Sequence, residues 1–190
     1  MTWRIDLVCE DRRTERFVTR LCERYGIKVL TVHVAPSGKG SGESWVRKQL
    51  PGHVKKLRSK NYQASLGLWV VIDADKEGLR VRRRGLDEEL TAHGVDPASV
   101  ADRLAILIPA WCIETWLASL NGIEGLAEET SYKEPSVPVH GEELARALRD
   151  LFDKEAIGET LDGAVAAWKQ GEPRLESLRR AYEETAKHGA

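Results

Sequence analysis

The chain has 190 residues, is 42% hydrophobic and 31% charged, and carries a formal net charge of −1. That apolar content supplies a real core and excludes wholesale disorder, and no apolar run approaches the 18 or so residues of a transmembrane helix. The even charge balance hides a division: residues 39–84 hold twelve Lys and Arg against four Asp and Glu, while residues 85–190 hold ten against twenty-one.

The N-terminus opens directly on a strand-like run and carries no signal-peptide apolar region. WRIDLVC (3–9) reads as a short buried strand ending at Glu10 and Asp11. An amphipathic helix follows, with Thr14 as N-cap and Phe17, Val18, Leu21, Cys22 and Tyr25 on one face. IKVLTVHV (27–34) is β-branched and continuous, the pattern of a second buried strand. APSGKGSG (35–42) is a glycine-rich loop. A helix from Glu43 to Lys60 comes next, broken near Pro51-Gly52. SLGLWVVID (65–73) is the clearest strand. A helix around Leu86–His93 and a fourth strand, RLAILIP (103–109), follow. WCIETWLASLNG (111–122) reads as a helix stopped by Asn121-Gly122. Residues 123–140 show no periodicity. The last fifty residues are helical, with breaks near Gly158 and at Gly171-Glu172-Pro173.

Strands that are apolar throughout and alternate with helices imply an α/β fold: a mostly parallel sheet covered by helices on both faces, with a C-terminal helical extension. Residues 1–122 form the α/β domain and 123–190 a loop and helical extension packed on it. Ligands of such sheets sit at the carboxyl ends of strands, and two strands here end in carboxylates. Cys9, Cys22 and Cys112 show no paired spacing, so neither a disulfide framework nor a cysteine zinc site is expected, and a reducing cytoplasm is the expected location.

Asp73 and Asp75 flank one residue just past a buried strand. Residues i and i+2 of an extended chain point the same way, so both carboxylates face one small volume. They repel, and each raises the other's pKa unless a cation intervenes. Oxygen donors of this kind suit Mg²⁺ or Mn²⁺. Glu10 reaches the same edge if the first and third strands are neighbours, as a further ligand or a proton-transfer group.

The loop at 35–44 is not a Walker A motif, because Lys39 lies between glycines. Placed between a strand and a helix, its backbone N–H groups and Lys39 are candidates to hold a phosphate. Arg47, Lys48, Lys55, Lys56 and Arg58 follow, and Lys76, Arg82, Arg83 and Arg84 come directly after the Asp-x-Asp. Cations flanking a carboxylate centre suit a polyanionic substrate, held without reading its sequence.

CEDRRTERFV (9–18) followed by LWVVIDADKEG (68–78) resembles the Toprim fold of topoisomerases, DnaG-type primases, OLD-family nucleases and small standalone Toprim-like proteins. The resemblance implies Mg²⁺ bound by a glutamate after the first strand, matched by Glu10, and by the Asp-x-Asp, matched by Asp73 and Asp75. Glu15 matches a second acidic position of the OLD-like branch. LIPAWCIETWLASL (107–120) resembles a segment of the standalone group in which a proline-ended strand runs into a helix bearing Ile-Glu-x-Trp; Glu114 is the match and a further candidate ligand. Read from the residues alone, Glu114 faces either this site or solvent, since Trp111, Ile113, Trp116, Leu117 and Leu120 make the buried stripe. One departure is Asp11, which stands where glycine is usual.

The expected function is therefore an Mg²⁺- or Mn²⁺-dependent nuclease acting on DNA or RNA, with Glu10, Asp73 and Asp75 catalytic. The resemblance further implies a separate ATPase protein as partner, in a two-component system of the antiphage-defence type, with no membrane association. The alternative is a catalytically degenerate module that binds nucleic acid or a partner, motivated by Asp11. A receiver-like signalling domain is disfavoured because the last fifty residues show no strand.

Overall fold

The computed structural model describes residues 2–38, 40–133, 141–169 and 175–190. Four strands, β1 (Arg4–Cys9), β2 (Lys28–Val34), β3 (Leu66–Val71) and β4 (Leu104–Leu107), form one parallel sheet in the order β2-β1-β3-β4. The helices between them are α1 (Arg12–Arg24), α2 (Gly42–Ser59) and α3 (Leu79–Ala92), with a short 3₁₀ turn at Pro97–Val100. After β4 come α4 (Ile113–Leu120), α5 (Glu142–Leu151), α6 (Ile157–Ala167) and α7 (Glu176–Ala186).

The period-2 alternation of side chains divides the core into two layers. Ile5, Leu7, Trp69, Val71, Ala105 and Leu107 face α1, α4, α6 and α7. Val8, Leu68, Val70, Leu104 and Ile106 face α2 and α3. Residues of α6 and α7 thus share one core with the sheet. Asn121 ties α6 down: its Nδ2 donates to the carbonyls of Leu117 (2.8 Å) and Thr160 (2.9 Å). A Cβ at Gly163 would collide with Asn121 Oδ1, so glycine is what permits that approach.

Several expectations are corrected. Asp11, not Thr14, is the N-cap of α1, its carboxylate accepting the Thr14 N–H at 2.8 Å. The residue that departs from the usual glycine therefore satisfies an orphan helix donor. β2 is an edge strand rather than a buried one, with Leu30 and Val32 41% and 38% exposed. A register shift opposite Ile5/Asp6 and Lys28 at the strand's start blunt that edge. α2 runs unbroken through Pro51, whose lost hydrogen bond is outweighed by the buried stripe of Val46, Leu50, Val54 and Leu57. α3 starts at Leu79, seven residues earlier than the pattern indicates. Gly158 lies inside α6 rather than at a break; the break precedes it. Gly171-Glu172-Pro173 falls outside the described residues.

At the amino end of the sheet, Trp69 Nε1 donates to His188 Nδ1 at 2.6 Å, and His188 Nε2 lies 3.3 Å from the Asp102 carbonyl. Burial pushes the His188 imidazole below its ordinary value, so the folded state favours the neutral ring. The unfolded ring protonates first, near pH 6.5. Stability is therefore full above about pH 6.5 and falls as the pH drops towards the lower folded value. Thermal unfolding followed from about pH 7 to about pH 5 should show this decline, and His188→Gln should flatten it; an equal slope in the variant would contradict the assignment.

Candidate active site

In the order β2-β1-β3-β4 the chain leaves β1 on one side and later builds β3 and β4 on the other. The carboxyl ends of β1 and β3 are thus the topological switch point, where a crevice opens in folds of this type. Glu10 follows β1 directly and Asp73 lies two residues past β3. Glu10 Oε1 accepts the backbone N–H of Asp73 at 2.7 Å, so the first and third strands bring these two residues together. Gly42, the first residue of α2, closes the crevice from the other side: a Cβ there would meet Glu10 Oε2 at 3.0 Å.

The β3–β4 ladder continues beyond both strands. Ile72, Ala74 and Asp75 donate in turn to the carbonyls of Leu107, Pro109 and Trp111. This zipper ties the Asp-x-Asp turn to the segment entering α4, which carries Glu114. Asp75 and Trp111 are paired across an isolated bridge and both have positive φ, 47° and 58°. Asp tolerates that region; a bulky Trp does so only under constraint from its surroundings. Asp75 is therefore not in an extended chain, yet its carboxylate still converges with that of Asp73, through a different geometry from the simple i, i+2 alternation. Lys133 Nζ lies 3.1 Å from Asp73 Oδ2 and 3.6 Å from Asp75 Oδ1.

Glu114 is buried, 8% exposed, and does not face solvent. Its Oε1 pairs with Arg13 at 2.5 Å, and among the described residues no hydrogen bond reaches its buried Oε2. An orphaned carboxylate oxygen is costly and calls for a cation or a donor. Glu15 stands apart: among the described residues its ion-pair partner is Arg12, at 2.8 Å.

The electrostatics follow from this crowding. Burial foremost, then the charge of Glu10, hold the Asp73 carboxyl well above the ordinary carboxylate range, against the pull of Lys133; Glu114 adds to the rise. Burial pushes Glu10 up to about 7, against the Asp73 N–H that favours its charged form, with Asp75 adding to the rise. Burial pushes the Lys133 ammonium down, but Asp73 and Asp75 outweigh it and raise its pKa overall.

Arg82 was expected among the phosphate-binding cations, and its surroundings correct that role. It is 6% exposed. Its Nε donates to the Asp73 carbonyl at 3.0 Å, and its guanidinium pairs with Glu43 (2.6 Å), Glu77 (3.4 Å) and Asp75 (3.7 Å). It binds α3, the Asp-x-Asp turn and the start of α2 into one unit. Arg83 is engaged with Asp87 and Arg84 with Glu88 along α3. Arg47 lies 3.5 Å from Glu43. Lys48, Lys55, Lys56, Arg58 and Lys76 are exposed. Lys39 lies outside the described residues. Lys133, Arg13 and Glu43 are site residues that the sequence reading missed: Lys133 sits in an aperiodic segment, and nothing in its neighbours marks it.

Among the described residues no three His, Cys, Asp or Glu side chains form a ready-made metal cage. Magnesium does not require one, since it takes one or two carboxylates and keeps several waters. The oxygen-only donor set, the cation already drawn between Asp73 and Asp75, and the orphaned Glu114 Oε2 fit a hard divalent ion. Compared with known protein families, curated proteins and solved structures, the chain matches none. The Toprim likeness therefore rests on the residues themselves. No helix among the described residues is long and apolar enough to cross a membrane, and the three cysteines are free and buried.

Proposed function

We propose that this chain is a metal-dependent nuclease of the Toprim type, cleaving phosphodiester bonds of DNA or RNA with Mg²⁺ or Mn²⁺. The observation that carries the reading is the convergence of Glu10, Asp73 and Asp75 at the switch-point edge, with Glu114 near enough to raise the Asp73 pKa and one of its buried carboxylate oxygens unpartnered among the described residues. Asp73 and Asp75 would hold the metal, which supplies Lewis-acid polarisation of the phosphate and an acidified water. Glu10, with Oε1 committed to the Asp73 amide, would take or return a proton through Oε2. Arg13 fixes Glu114 by Oε1 and leaves Oε2 for the site. Exposed cations of α2 and Lys76 hold the polyanion. A separate ATPase partner in an antiphage-type system is supported by the sequence resemblance alone.

Purified chain incubated with DNA and with RNA, in Mg²⁺ and in EDTA, tests the reading. Metal-dependent products support it; product formation unaffected by EDTA contradicts it.

The competing reading, a catalytically degenerate binding module, is favoured by one observation: Lys133 already neutralises Asp73 and Asp75. Metal titration separates the two. If Lys133 merely fills the cation position, Lys133→Met should tighten Mg²⁺ by about fivefold, or about 1 kcal/mol, a modest figure because Lys133 is half-exposed. Calorimetry that detects no Mg²⁺ on either protein favours the degenerate module.

A further inference from the structure

The described residues include two buried arginines, and their surroundings are opposite. Arg82 is caged by carboxylates. Arg103, 9% exposed, has no ion-pair partner among the described residues. Its Nη1 makes only long contacts, 3.5 Å each, with the carbonyls of Leu57 and Lys60. Arg103 lines an open, shallow cleft of about 490 Å³ together with Lys55, Arg58, Ser59, Asn61 and Ser99. Among the described residues no carboxylate lines it, and neither Lys55 nor Arg58 has an ion-pair partner. A buried cation without a counter-ion is costly, and gathering two more cations beside it adds repulsion. Such an arrangement is stable in the presence of an anion. Guanidinium forks and a lysine match the oxygens of a phosphate.

The cleft lies at the amino end of the sheet, beside the last turn of α2 and the start of β4, away from the carboxylate site. α2 links the two: Gly42 abuts Glu10 and Ser59 lines the cleft. Its 18 residues span roughly 27 Å at 1.5 Å per residue. Lys48 lies seven residues before Lys55 on the same exposed stripe of α2, between the carboxylate site and the cleft. At 3.4 Å per step, that distance is about eight base pairs.

We propose that this cleft is a second, remote anchor for a backbone phosphate of a polynucleotide that runs along α2 from the carboxylate site. The phosphate chemistry stands on the cleft itself; the polynucleotide as its source rests on the nuclease reading. The test uses the full chain in EDTA, so that it does not depend on metal binding or cleavage. Labelled DNA and RNA duplexes of about 20 base pairs are titrated by fluorescence anisotropy over a salt series. The proteins compared are wild type, Lys55→Ala/Arg58→Ala, and the charge-matched Arg146→Ala/Arg149→Ala on α5. The cleft variant should bind about tenfold more weakly and lose about one from the salt slope, the value for a single phosphate contact, with the control and thermal unfolding unchanged. Unaltered affinity and slope for both duplexes in the cleft variant would overturn the anchor. Inorganic phosphate and a mononucleotide form the competing arm. If either, at millimolar concentration, occupies the cleft of wild type and abolishes the difference between variants, the ligand is a small phosphate and the polynucleotide assignment is wrong.

Discussion

Asp73→Asn is expected to lower metal-dependent cleavage by about 10³-fold, a loss of about 4 kcal/mol of transition-state stabilisation. Asp73 is the most deeply buried of the gathered acids, 3% exposed, and Lys133 already approaches its Oδ2 at 3.1 Å. The amide keeps the shape and the backbone hydrogen bonds to Glu10 and Arg82, which run through the Asp73 N–H and carbonyl rather than its side chain. What it removes is the charge that draws a cation into the crevice. The variant should therefore remain folded by circular dichroism. Lys133 retains Asp75 as a partner. Cleavage by the purified variant at the wild-type rate would refute the active-site assignment.

Arg82→Ala should produce the largest loss of stability, about 3–5 kcal/mol, because it leaves Glu43 without its closest cation and two carbonyls without their donor in a buried setting. In a chain of this size that corresponds to a fall in Tm of roughly 10 °C. Arg82→Lys should recover little, since one ammonium cannot bridge the Asp73 and Ala74 carbonyls and Glu43 together. Thermal unfolding of the two variants checks this, and a Tm within about 2 °C of wild type for Arg82→Ala would show that the cage contributes little.

How far the amino-acid pattern reveals the molecule differs element by element. β3 and β4 are legible because strands covered on both faces are apolar without interruption, and β1 because Ile5, Leu7, Val8 and Cys9 outweigh Arg4 and Asp6. β2 carries the same composition, and composition alone does not distinguish an edge from a centre. The early turns of α3 are hidden because Arg82 takes an inward position that periodicity reserves for a leucine, between Leu79 and Leu86. Glu10, Asp73 and Asp75 are readable as carboxylates at strand ends. The helical positions around Glu114 do not decide its direction; the zipper from Ile72 to Asp75, which turns the entry of α4 towards the crevice, does. Lys133 reaches the site from an aperiodic segment, and only tertiary folding places it there. Arg103 belongs to the same class: a single arginine before a strand, notable only for having no ion-pair partner among the described residues.

The central claim is that these acids form one cation site, and the most direct measurement is Mn²⁺ titration followed by electron paramagnetic resonance on wild type and Asp73→Asn. Wild type should show saturable Mn²⁺ binding that Mg²⁺ displaces and that the variant loses. Equal binding by both proteins, or none by wild type even with Lys133 replaced by Met, would contradict it.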